Sequence, residues 1–131
     1  LIHTRQLMNK AVPDSLVENF ESLIDGLELP DANDRHVLAA AIKCNAQIIV
    51  TSNLKDFPTE SLDPYGIEAM HPDEFIEHQF GLSPGAVIAA AKRIRERLKN
   101  PTRSTEEYLE TLASLGLPVT AGLLKGFSEL I

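Results

Sequence analysis

The stretch DRHVLAAAIKCNAQIIVTSNLKDF, residues 34–57, constrains this chain more than any other. Val37, Leu38, Ala41 and Ile42 recur at helical spacing, Asp34, Asn33 or Asp31 can cap the start, and the pattern ends near Asn45. QIIVT, residues 47–51, is β-branched without alternation, the pattern of a strand buried on both faces in a parallel sheet. A helix of about twelve residues rises about 1.5 Å per residue and a strand of about five rises about 3.3 Å, so both runs are roughly 17 Å long. Down and back cancel. The turn after Thr51 therefore returns to the level of the helix start, bringing Asn53 and Asp56 to the same edge as Asp31 and Asp34. That edge is the carboxyl end of the strand, where open α/β sheets place ligands.

The flanking sequence extends this rhythm. Leu16, Val17, Phe20, Leu23, Ile24 and Leu27 predict one amphipathic helix from Pro13 to Gly26. IEAM, residues 67–70, predicts a second strand, and Pro72 with Asp73 and Glu74 opens a helix through His78. Two strands make a poor sheet, so a parallel arrangement calls for further strands. The chain starts at Leu1 rather than Met, and LIHTRQLMNKA has the pattern of a helix already under way. The expectation is that an N-terminal part is missing and would supply those strands.

After Gly81 only helical patterns remain. Val87, Ala91, Ile94 and Leu98 form one apolar face after Pro84, and Asn100-Pro101 stops it. Ser104 and Glu107 fit a capping box before Tyr108, Leu109, Leu112 and Leu115, and 119–131 holds one more helix. The expected organisation is an α/β region over residues 1–80 and an all-helical extension over 81–131.

At 131 residues the chain has room for little more than one ordinary domain. Aromatics are only 5% and Trp is absent, which leaves a single-strand stacking platform poorly supplied. One cysteine, Cys44, excludes an internal disulfide and a cysteine-based zinc site and favours a reducing, cytoplasmic setting. Its place beside apolar residues predicts a small packed side chain. The four His, at 3, 36, 71 and 78, lack the spacing of a helical zinc site. No apolar run approaches membrane-spanning length.

The net charge is -7, yet six of the 12 basic residues lie between Lys92 and Arg103, whereas seven acids and no Lys or Arg lie between Asp14 and Asp34. The basic run surrounds an apolar stripe, and a solvated helix face is its ordinary role. Carboxylates gathered on one edge repel one another, and a divalent cation neutralises them. Mg²⁺ and Mn²⁺ take oxygen ligands and retain waters, so two to four carboxylates with a substrate phosphate form a workable site. A metal-bound water is acidified enough to attack phosphorus.

At these residues the chain resembles the PIN-domain nucleases, particularly the VapC-type toxins of toxin and antitoxin pairs. The resemblance rests on Asp34 at the head of DRHVLAAAI, the strand after it and the turn TSNLKDF, and it spans about residues 1–80. It implies a PIN-like parallel sheet flanked by helices, and endoribonuclease activity dependent on Mg²⁺ or Mn²⁺. It also implies an RNA substrate, an antitoxin that blocks the site, and a homodimer. Asp34 matches the third acid of the family and Asp56 the fourth, both as metal ligands, while Asn53 stands where a polar or acidic site residue is common and Thr51 orients the turn. The first acid of the family ends an N-terminal strand and the second lies on an early helix; neither has a match here. On that reading this chain is incomplete as a nuclease.

Each residue also has an ordinary role. Asp31 and Asp34 suit helix caps, and Asp31 is read chiefly as one. Asp56 can brace its turn, and Asn53 suits left-handed backbone. Arg35 and His36 can contact phosphate or be solvated residues of a first helical turn. The rival from another class is a non-catalytic PIN-like module that binds RNA or protein. A phosphotransfer enzyme of another kind is disfavoured, since no Gly-rich phosphate loop appears.

Overall fold

The computed structural model describes residues 16–99 and 101–131. The expected helical tail at residues 1–11, and Pro13 as a helix start, lie outside the described residues. The chain separates into two compact units, Leu1–Ala69 and Met70–Ile131. The described residues are mostly helical, with one two-stranded parallel sheet.

In the first unit, α1 (Glu21–Ile24) is a single turn rather than the long helix expected over residues 13–26. Asn19 adopts φ 60°, a left-handed conformation that no α-helix continues through and that Asn tolerates. Phe20, Leu23 and Ile24 still pack on the core and Leu27 is part of it, whereas Leu16, expected on the same stripe, is exposed.

A short 3₁₀ turn, Ala32–Asp34, leads into α2 (Arg35–Lys43). Leu38, Ala39 and Ala41 bury its inner face. The helix stops where Asn45 turns left-handed at φ 57°. Asn45 N–H donates to the Ile42 carbonyl at 3.2 Å and Ala46 N–H to that of Ala41 at 2.9 Å, the paired bonds of a Schellman ending. Cys44, at this ending, is exposed rather than packed, because the reversal turns it away from the core.

β1 (Ile48–Val50) follows, and it lies beside β2 (Glu68–Met70), with Glu68 N–H donating to the Gln47 carbonyl at 2.9 Å. Burial of β1 on both faces is overturned: Ile49 is 7% exposed, but Ile48 and Val50 are 36% and 44% exposed. The pattern alternates because, among the described residues, only one face of the strand meets the core. Between the strands come a 3₁₀ turn (Leu54–Asp56), α3 (Thr59–Leu62) and a second 3₁₀ turn (Asp63–Tyr65). Gly66, at φ 67°, closes that turn, and no other atom lies near the position a Cβ would take. Leu27, Leu38, Ile49, Phe57, Leu62 and Ile67 form the centre of this unit.

In the second unit, α4 (Pro72–Leu82) runs four residues past His78, since nothing breaks it before Pro84 opens α5 (Pro84–Arg97). The sequence-based boundary at 80/81 thus falls inside α4. α6 (Thr105–Ser114) carries the capping box: Glu107 N–H donates to Ser104 Oγ at 3.2 Å and Ser104 N–H to Glu107 Oε1 at 3.0 Å. α7 (Pro118–Lys125) and a 3₁₀ turn (Ser128–Leu130) complete the chain. Ala91, Tyr108, Leu124 and Ile131 form the core here. Ile94, expected on the buried face of α5, is 52% exposed.

Candidate functional site

The six residues singled out in the sequence all lie in the first unit, as two triplets at the two ends of one helix–strand connection. Asp31, Asp34 and Arg35 occupy the turn that enters α2. Asp31 is the cap: its Oδ1 accepts the Asn33 N–H at 2.9 Å, while its carbonyl accepts the Asp34 N–H at 3.0 Å. Asp34 stands at the N-cap of α2 yet makes no side-chain capping bond. It is half-buried, with its oxygens uncommitted to the helix. Arg35 folds back, its Nε donating to the Ala32 carbonyl at 3.1 Å, so one face of the guanidinium serves the turn. His36 bonds the Asn33 carbonyl through Nδ1 at 2.7 Å, which fixes that nitrogen as the donor.

Thr51, Asn53 and Asp56 build the turn that leaves β1. Thr51 Oγ1 accepts the Asn53 N–H at 3.1 Å, and the Asn53 carbonyl accepts the Asp56 N–H at 3.0 Å. The hydroxyl therefore shapes the loop that carries the other two side chains. Asn53 does not use the left-handed backbone that Asn tolerates: its φ is -102°. Asp56 is half-buried beside the fully packed Phe57, which anchors the turn to the core.

α2 packs against β1. The nine residues of α2 rise about 13 Å, and an extended run over residues 47–51 rises about 16 Å. The Schellman reversal at Asn45 starts the second run back along the first, and the two runs are of comparable length. Hard, oxygen-only donors of this kind suit Mg²⁺ or Mn²⁺ better than zinc. Among the described residues no group of three or more His, Cys, Asp or Glu side chains gathers in a way that could hold a metal ion, and Asp34 and Asp56 are no exception.

A second carboxylate, Asp73, was not marked by the sequence as anything but a first-turn acid of α4. It is 7% exposed and reaches across the second unit to the start of α7. Oδ2 accepts the Val119 N–H at 2.9 Å; Oδ1 accepts the Thr120 N–H at 2.8 Å and its hydroxyl at 2.6 Å. Burial opposes ionisation of Asp73, but the bonds from Thr120 and Val119, with His71 adding to them, hold its carboxyl below the ordinary 3.8. The available signal was Leu117-Pro118, a helix start with no side chain able to cap it.

A family match lies within the second unit. The family described as VapC50 C-terminal domain matches residues 72–126. A protein of Mycobacterium tuberculosis (strain ATCC 25618 / H37Rv), named "Putative ribonuclease VapC50", is 42% identical over 79 residues, which cover 60% of this chain and 47% of that protein. Over these residues the chain is similar to VapC-type proteins. The chain spans about half the length of the relative it matches. Asp73, Val119 and Thr120 fall inside the matched domain, whereas Asp31, Asp34, Arg35, Thr51, Asn53 and Asp56 all precede it. No solved structure matches the chain. No helix among the described residues is long and apolar enough to cross a membrane.

Proposed function

We propose that this chain is part of a divalent-metal-dependent endoribonuclease of PIN type, the toxin of a toxin and antitoxin pair, acting in the cytoplasm. Asp34 and Asp56 bind Mg²⁺ or Mn²⁺, Asn53 assists, and Thr51 holds the turn. The observation that carries this reading is the contrast within one loop: Asp31 spends its carboxylate on capping, while Asp34, at the next cap position, does not. An uncommitted, half-buried carboxylate at a helix start has a ligand role open to it that Asp31 lacks. The name of the relative supports ribonuclease chemistry.

Asp34 and Asp56 would hold the ion, which would supply polarisation of phosphate oxygens and a more acidic water. The Thr51–Asn53 bond shapes the turn that carries Asp56. Arg35, held by Ala32, presents its remaining N–H groups to an RNA phosphate. The homodimer and the antitoxin belong to the same proposal by family resemblance.

The test has two readouts. Mn²⁺ affinity of this chain should fall at least about tenfold in Asp34→Asn and in Asp56→Asn, the loss of one charged ligand; unchanged affinity in both rejects the assignment. Cleavage of RNA is then measured on the naturally encoded protein, with and without the same substitutions. The rival, a PIN-like module that binds RNA or protein without cutting it, is favoured by the absence of a gathered third ligand among the described residues. Metal binding with no cleavage under any divalent ion selects that rival.

A further inference from the structure

The second unit leaves a groove open between its four helices. Its volume is about 370 Å³, and Ile76, Val87, Ile94, Tyr108, Leu112 and Leu124 are among the residues that line it. Gln79 and Thr120 are the other polar side chains there, and the Thr120 hydroxyl is committed to Asp73. Recognition in this groove is therefore apolar. Ile94 lies on its lip, half out of the core that its neighbours Ala91 and Tyr108 complete.

The same helix also brings positive charge to the lip. Helical periodicity places Arg93 seven residues after Ala86 and Arg97 seven after Ala90, on the same stripe of α5 as those two groove residues. Others of the basic run have partners: Lys92 pairs with Glu96, Arg95 donates to the carbonyls of Ile131 and Arg103, and Arg103 donates to Thr111. Among the described residues Arg93 and Arg97 have none, and like charges at i, i+4 disfavour the helix that bears them. A surface that keeps this repulsion beside an apolar trough is complementary to a ligand with an apolar ridge and negative flanks.

We propose that this groove binds an amphipathic helix of a partner protein, with leucine-like residues at i, i+3, i+4 and i+7 seated in the trough and Asp or Glu facing Arg93 and Arg97. Ala86 and Ala90 allow another helix axis to approach to about 8–10 Å. A bilayer, being flat at this scale, does not fill a recessed trough. Nothing in this surface requires Asp34 or Asp56, so its test is separate from that of the nuclease reading.

The probe is a fluorescein-labelled synthetic peptide of about four helical turns with that leucine spacing and Glu flanks, compared with a twin carrying Lys in place of Glu. Anisotropy titration of the whole chain should show the Glu peptide binding at least about tenfold more tightly than the Lys peptide, with the gap narrowing as salt rises. Arg93→Glu with Arg97→Glu should reverse the preference, and Ile94→Asp should abolish both signals while circular dichroism shows the helices intact. Absence of binding, equal binding of the two peptides, or a preference indifferent to the arginine reversal overturns the proposal. So does self-association that Ile94→Asp removes, which assigns the groove to a second copy, or binding to anionic vesicles but not to peptide.

Discussion

Thr120 donates two hydrogen bonds to one oxygen of Asp73, from its N–H at 2.8 Å and from its hydroxyl at 2.6 Å, and so ties the start of α7 to the first turn of α4. Pro118 has no N–H and Leu117 has no capping group, so the carboxylate supplies from another helix what the local sequence withholds. Asp73→Ala strips acceptors from buried donors and should cost about 2 kcal/mol, between a lost cap and an unsatisfied buried group. Urea unfolding followed by circular dichroism measures it.

The same contact sets a pH dependence. The folded carboxyl titrates below its ordinary 3.8, so its contribution is present above the unfolded value and is lost as pH falls through the folded one. The stability gap between the native chain and Asp73→Asn should be flat from neutral pH to about pH 5 and shrink below about pH 4. A gap that stays constant to the acid limit would show that hydrogen bonding, not charge, does the holding.

Much of the fold was legible where its causes are local. The Ser104–Glu107 box, the stop at Asn45 and the helix–strand–turn order depend on residues within a few positions of one another, and the sequence displays them directly. What failed depended on distant partners or on one backbone angle. The exposure of Ile48 and Val50 is set by which layers cover β1, and the shortened α1 by the left-handed Asn19. In the loop DAND both aspartates suit a cap by local sequence and Asp31 is read chiefly as one; the hydrogen bond from Asn33 gives the capping role to Asp31, and Asp34 makes none.

That distinction predicts opposite phenotypes three residues apart. Asp31→Ala should lower stability by about 1 kcal/mol, the ordinary cost of a cap, and leave Mn²⁺ affinity within about twofold. Asp34→Asn should do the reverse, with stability unchanged and affinity lost. Paired thermal melts and metal titrations on the two variants check it, and a shared pattern would erase the division of labour.

Thr51→Val keeps the shape of the side chain and removes the oxygen that accepts the Asn53 N–H. The exposed N–H can turn to water, so the cost in stability should stay below about 1 kcal/mol. The turn that carries Asp56 loses a constraint. Mn²⁺ affinity should fall by several-fold and Thr51→Ser should restore it, since Ser retains the acceptor. Equal affinity in Val and Ser variants would leave the hydroxyl without a part in the site.

Gly66 offers a test of backbone cost free of packing. Its φ of 67° lies in the left-handed region, and open space surrounds the position of an added Cβ. Gly66→Ala therefore meets no clash and should still destabilise the first unit by about 1–2 kcal/mol, the penalty of left-handed backbone for an L-residue. Gly66→Asn should lose less, because Asn enters that region more readily, as Asn45 does at φ 57° at the end of α2. Denaturant midpoints of the two variants against the native chain give the comparison. An alanine variant as stable as the asparagine one would mean that the Asp63–Tyr65 turn has rearranged to relieve the left-handed angle.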